Sequence, residues 1–438
     1  MDYFIVSGLI AEVLILSRLD KSIFGTWITP FNLLAYPYMV VLVSAFLLAP
    51  ALGFVSVYAP SILIWMAGLF LFWAVGALLG WGLFGGRPIS KPFASTTSPR
   101  HHEAATTKLA MVLAWVIMPI MAFSLYESAM ASGGWAEIGS LDFRIAYSHG
   151  VGAHAVVLAF PLVIFLMGTY RKGRRLQLLT VSGLLLFLFA SQVKGTLLAP
   201  FIGAIVFRVA RGNLNLSVKK LGAAAGITYL MFNGVYLLGY SFADSSVLTE
   251  SEVYPELGRH YLYYLWSGIL ALSEAIKHGV GYVGGPWYEI FSPFINLYRE
   301  MFGAGHLVGA GSAHELGMET DLLSAVFQGV NVYTMFGTLY LYLGALGGIC
   351  VVLVLSALFY GLLLSCRTTE NVWMLTLYCA LVSWLVLGFF EYYFMSLTFI
   401  EVAFYCLILR LLSGRNRRIC SPGISDSLNL RSSSIEPL

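Results

Sequence analysis

Eleven apolar segments, separated by polar or basic residues, dictate that this chain folds as helices crossing a bilayer. They cover about residues 3–17, 31–57, 60–84, 109–126, 151–169, 176–192, 195–209, 221–240, 334–363, 372–389 and 397–413. A helix rises 1.5 Å per residue, so roughly 20 apolar residues cross a hydrocarbon core. Lipid offers the backbone no hydrogen-bond partner, so spans of this kind are helical. The predicted fold class is all-α, a polytopic transmembrane helical protein. Residues 1–413 form a single transmembrane domain, and 414–438 form a Ser- and Arg-rich cytoplasmic tail expected to be disordered.

Basic residues fix the orientation, because Lys and Arg collect on the cytoplasmic side of membrane proteins. Arg171, Lys172, Arg174 and Arg175 make the strongest marker. Arg208, Arg211, Lys219 and Lys220 make a second, and Arg410, Arg415, Arg417 and Arg418 a third. Placing all three inside leaves the N-terminus outside and the C-terminus cytoplasmic. Segment 85–108, with Arg87, Lys91, Arg100 and Lys108, then falls inside as well. Of the 25 Lys and Arg, 20 lie inside, and Arg144, Lys194, Arg259, Lys277 and Arg299 lie outside.

Three segments need a decision. Residues 176–209 as one helix would reach about 50 Å and bury Lys194 in mid-membrane, so a hairpin with Lys194 near the outer surface is expected. Tyr261–Ala275 is apolar but short. Counting it as a span would invert everything downstream, so it is expected in or on the outer leaflet, stopped at Gly279. Tyr3–Leu16 follows Met1-Asp2 without a basic start or a cleavage site, and it is expected as a first span, not a signal peptide. One large outer loop remains, 241–333, expected to carry short helices. No internal repeat is visible, which counts against transporters built from duplicated halves.

Function is expected on the outer face. A fixed cation there points to an anionic ligand, and in a bilayer that means a lipid-linked phosphate. Arg suits bidentate phosphate contacts and Lys a point charge. Against this stand local ion pairs: Arg144 with Asp142, Lys277 with Glu274, and Arg299 with Glu300. Lys194 has no acid closer than 50 residues on either side. Six of the eight His are outside: His149, His154, His260, His278, His306 and His314. Imidazole is the usual general base near neutral pH. His260, beside Arg259, and His314, beside Glu315 in a Gly-rich stretch, are the candidate catalytic bases, with Arg299 as a catalytic cation. The five Cys form no metal-type cluster and no His pair has zinc-ligand spacing, so neither metal nor cofactor is expected. A net charge of +3 implies no nucleic-acid partner.

The most specific string is Asn331-Val332-Tyr333-Thr334, which enters a span and is followed by Tyr342-Leu343-Gly344-Ala345-Leu346-Gly347. It resembles the Wzy-type polymerases of bacterial O-antigen and capsule repeat units, with Tyr342 where that family commonly has an acid. Ser191-Gln192-Val193-Lys194-Gly195 is similar to a turn of that family in which Arg stands at the place of Lys194. Ser292–Arg299 shares the likeness, whereas the spacing from Arg299 to a glycine ten residues on does not, since Ala310 stands there. The resemblance implies a GT-C-like membrane glycosyltransferase of the bacterial inner membrane, working on the periplasmic face without a cofactor. Its substrate would be an undecaprenyl-pyrophosphate-linked oligosaccharide, and its partners membrane lipids and a chain-length regulator protein. Arg144, Lys194, Arg259 and Arg299 would hold the pyrophosphate, and Asn331, Tyr333 and Thr334 the glycan. The alternatives are an O-antigen ligase or other lipid-linked-sugar glycosyltransferase, whose marker His is missing at Val330-Asn331, and a lipid-linked oligosaccharide flippase.

Overall fold

The computed structural model describes residues 2–84, 100–138, 140–191, 194–215, 217–243, 253–279, 287–303, 332–369 and 371–419. Among these, every regular element is a helix. A helix lies over each of the eleven predicted segments. In order they are α1 (Asp2–Phe24), α2 (Pro30–Leu48), α3 (Ile62–Phe84), α4 (Arg100–Ala131), α6 (Gly150–Thr169), α7 (Arg175–Ala190), α8 (Lys194–Ala210), α9 (Val218–Ala243), α12 (Met335–Thr368), α13 (Val372–Val386) and α14 (Thr398–Ile419). Three amphipathic helices are added: α5 (Leu141–Tyr147), α10 (Val253–Lys277) and α11 (Ser292–Phe302). Five stretches are long and apolar enough to cross a membrane: Pro30–Leu48, Ala59–Leu83, Glu103–Ala131, Gly150–Thr169 and Met335–Thr368. The chain is therefore a helical membrane protein. Arg175–Ala190, Leu197–Ala210 and Val372–Val386 are apolar but shorter.

Local chemistry starts the helices where the sequence changes character. Thr29 caps α2 by accepting from the Asn32 N–H at 3.3 Å, with Pro30 in the first turn. Asn371 caps α13 through the Trp373 N–H at 2.9 Å. Pro37, Pro119, Pro161 and Pro200 sit inside apolar helices, where neighbouring helices can absorb the lost hydrogen bond.

One continuous apolar core links α1 to α14. Its centre is aromatic: Trp65 of α3 stacks on Tyr38 of α2, and Phe336 of α12 meets the same indole edge-on at 4.5 Å. A buried indole N–H needs an acceptor, and Thr334 Oγ1 supplies one at 2.7 Å.

The basic residues mark one end of the bundle. Glu103 at the start of α4 accepts from Arg171, before α7, at 3.4 Å and from Arg211, after α8, at 3.2 Å. Tyr360 of α12 donates to Asp20 of α1 at 2.8 Å, Arg367 Nη1 donates to the Phe24 carbonyl, and Tyr378 of α13 donates to Ile28 O at 3.1 Å. These contacts bring together loops that the charge pattern alone assigned to one side.

Three expectations change. Residues 261–275 are not a separate short helix. They belong to α10, whose Trp266–Ala275 stretch is buried against the bundle, with Trp266 Nε1 donating to Ser44 of α2 at 2.9 Å. The helix does end as expected, before Gly279 at φ 70°. Helix α14 runs on to Ile419, past the expected end at 413; 420–438 lie outside the described residues. Helix α12 breaks at Gly344, which has φ 69° and ψ −177°. That conformation is open in practice only to glycine. The break is sharp: a Cβ on Gly348 would lie 3.5 Å from Leu339 O, residues that a straight helix would hold about 13.5 Å apart. The Tyr342–Gly347 string is this corner.

Candidate functional site

A cavity of about 520 Å³ opens at the end of the bundle opposite the basic one. The first two turns of α8 form one wall with Gly195, Leu198 and Ile202, and α9 adds Thr228 and Phe232. Helix α10 contributes Tyr261, Tyr264 and Leu265. Trp384 of α13, Thr398 of α14 and the connection between them, with Phe389, Phe390, Glu391, Tyr393 and Ser396, add a further wall. Arg144 joins from α5.

The α13–α14 connection determines the chemistry. Its chain leaves helical geometry after Val386, and its backbone is held from three sides. Gly388 O accepts from Met335 N at 2.7 Å, Ser292 Oγ of α11 donates to Met395 O at 3.0 Å, and Gly268 of α10 presses against the Phe389 and Phe390 carbonyls. Any side chain at 268 would collide with the Phe390 carbonyl oxygen. Tyr264 stacks on Phe390 at 5.7 Å. The result aims a carboxylate, Glu391, at a cavity walled mainly by aromatic rings.

Among the described residues, no hydrogen bond or ion pair reaches the Glu391 carboxylate. Its apolar surroundings disfavour the charged form, and burial raises its pKa from 4.5 to about 7. Burial likewise pushes the Tyr393 hydroxyl above its usual range, with the Glu391 charge adding to it. A carboxylate poised near neutrality inside a cleft can exchange a proton with a bound hydroxyl at physiological pH.

The predicted site residues separate into two groups. Arg144 reaches the cavity; its Nε donates to Ser140 O at 3.4 Å, and no described carboxylate pairs with it, Asp142 included. Lys194 begins α8 directly beside the lining residue Gly195, and the position of its side chain lies outside the described residues. His260 sits one layer behind the wall, its ring 5.1 Å from Tyr264 and 6.2 Å from Phe232.

Arg259 is elsewhere. It lies on the α10 face turned toward α2, donates to Leu52 O at 3.3 Å and covers the Phe54 ring at 5.9 Å. Arg299 occupies the last turn of α11, half-buried and away from the cavity lining. Tyr333 and Thr334 are buried, and neither lines the cavity. The Thr334 hydroxyl caps α12 through Gly337 N at 3.2 Å while accepting from Trp65. His306, His314 and Asn331 lie outside the described residues. The Lys277–Glu274 pair is present at 3.1 Å, and His278 shares the same carboxylate at 3.1 Å. No group of His, Cys, Asp and Glu suited to a metal occurs among the described residues.

Sequence reasoning missed Glu391. A signal was there: it is the only acid between Asn371 and Ile400, set in Phe389-Phe390-Glu391-Tyr392-Tyr393 between two apolar runs. An ionisable residue at the end of a span is a functional candidate by default.

A protein-family model described as "Family of unknown function (DUF6337)" matches residues 53–419. No curated protein and no solved structure matches the chain.

Proposed function

The chain belongs to the DUF6337 family, and we propose that it is a membrane glycosyltransferase that polymerises polyprenyl-pyrophosphate-linked oligosaccharide repeat units. The basic end faces the cytoplasm and the cavity faces the periplasm, with eleven helices crossing the membrane. One observation supports this above the others: an unpaired carboxylate near neutral pKa, an unpaired arginine and a wall of aromatic rings share one cavity.

Each part has a task in glycosyl transfer. Aromatic faces such as Trp384, Tyr261 and Tyr264 stack on sugar rings. Glu391 accepts the proton of the acceptor hydroxyl as that oxygen bonds to the anomeric carbon of the donor. The bond from the anomeric carbon to the phosphate oxygen breaks, and its electron pair leaves with the pyrophosphate. Arg144, with Lys194 at the cavity edge, balances the charge that develops on the leaving group. Glu391 thus takes the role first considered for His260 and His314.

Deleting the gene should leave surface polysaccharide with at most one repeat unit instead of a ladder. A full ladder in a deletion strain with no second polymerase excludes the reading. Loss of even the single capped unit would favour a ligase or flippase.

A further inference from the structure

We propose a second, independent site at the basic end: a headgroup pocket for an anionic phospholipid between α4 and α7. A cavity of about 360 Å³ lies there, lined by Thr107, Lys108 and Met111 of α4 and by Arg174, Arg175 and Leu176 at the start of α7. It is distinct from the glycan cavity, because α7 and α8 form a hairpin and the two cavities sit at its opposite ends.

The charge balance is the main argument. Two neighbouring arginines, Arg171 and Arg211, share the single carboxylate of Glu103. Lys108, Arg174 and Arg175 have no ion pair among the described residues. The adjoining stretch 85–99 contains Arg87 and Lys91 and no acidic residue, so it brings no carboxylate to them. Arg174 is also the residue before α7, and no side chain caps that helix start. Its first N–H groups add to the positive field. Lys108, Arg174 and Arg175 thus leave positive charge at the rim of a cavity whose own walls are apolar, which an anion with an apolar tail would match.

The walls say which kind. Met111 and Leu176 line the cavity itself. Away from the basic end, α4 and α7 continue as exposed apolar surface: Val112 and Trp115 on one, Leu176 and Leu179 on the other. The seam between them is fixed by Trp115 Nε1 donating to Thr180 Oγ1 at 3.2 Å. A phosphate held by the cations would place acyl chains along this seam. A free phosphate would have no use for it. Basic pockets between membrane helices on the cytoplasmic side suit anionic headgroups of this type.

The test uses the purified full-length protein, delipidated in detergent, and native mass spectrometry. Phosphatidylglycerol should bind in preference to phosphatidylcholine. Each of Lys108→Gln, Arg174→Gln and Arg175→Gln should weaken that preference about fivefold. Lys219→Gln with Lys220→Gln removes twice that charge from the same end and should leave it unchanged. Equal loss in that control would show diffuse attraction and overturn the site, as would binding of inorganic phosphate without lipid preference. Photoactivatable phosphatidylglycerol on the unmodified protein gives a readout independent of variant folding. Crosslinks should map to 104–115 and 174–179, and crosslinks spread evenly over the helices would sink the proposal.

Discussion

Glu103 and Glu391 are carboxylates shielded from water at opposite ends of one bundle, and they are held in opposite ways. Glu103 lies between two arginines at 3.2 and 3.4 Å. It joins three loops, and its partners account for its place. Glu391 is positioned by backbone contacts around it, with no described partner for its carboxylate. A charge that is sheltered and paired builds the fold. A charge that is sheltered, unpaired and facing a cavity lowers stability unless a ligand uses it. The contrast assigns structure to one end and chemistry to the other.

Glu391→Gln breaks this comparison most directly. It keeps shape and removes the base, so turnover should fall by about two to four orders of magnitude while the protein still accumulates in the membrane. Glycan ladders and immunoblots together check it, and wild-type ladders would end the role of Glu391. Arg144→Ala should lower turnover by about two to three orders of magnitude, the usual loss for one well-placed donor to developing charge. Arg259→Ala, whose guanidinium is bound to Leu52 O, should do far less.

Glu103→Gln should give the converse result. It leaves Arg211, only 9% exposed, without its charge partner, at a cost of about 3 kcal/mol in stability. Thermal aggregation in detergent should come earlier, with activity per surviving molecule unchanged. Gly268→Ala tests whether backbone packing positions Glu391. The added methyl collides with the Phe390 carbonyl and should cost about 1–3 kcal/mol, reducing both stability and turnover. The smallest effect is in pH. With Glu391 as the proposed base, whose pKa is about 7, activity should rise with pH up to that value and level off above it. Below it, the rate should fall by about tenfold per pH unit in the limit. A flat profile from pH 5 to 8 would remove the carboxylate as base.

Much of the architecture could be read from periodicity and charge. All eleven apolar segments are helical, α7 and α8 are separate helices with α8 starting at Lys194, and the Lys277–Glu274 pair forms as i,i+3 spacing predicts. These are local features, set within a few residues. The site was only partly legible, because it depends on long-range contacts. Arg144 and Gly195 meet Glu391 only because α13 and α14 pack against α6 and α8, which no spacing in the sequence encodes. Arg259 stood in a persuasive Arg-His pair, yet helical geometry turns it toward α2 and away from Tyr261 and Tyr264. The Asn331–Thr334 string resembled a ligand-binding segment, and its Thr334 hydroxyl is spent on a helix cap and an indole.

The corner at Gly344 also settles a question of hydrophobic mismatch. Drawn straight, the 34 residues of α12 would measure about 51 Å, far beyond a hydrocarbon core of roughly 30 Å. Folded at Gly344, the segment becomes a short arm of about 13 Å and a long arm of about 36 Å. The long arm alone is long enough to cross such a core with ordinary tilt, and the short arm is not. The bilayer is then spared the thinning or thickening that an over-long rod would impose.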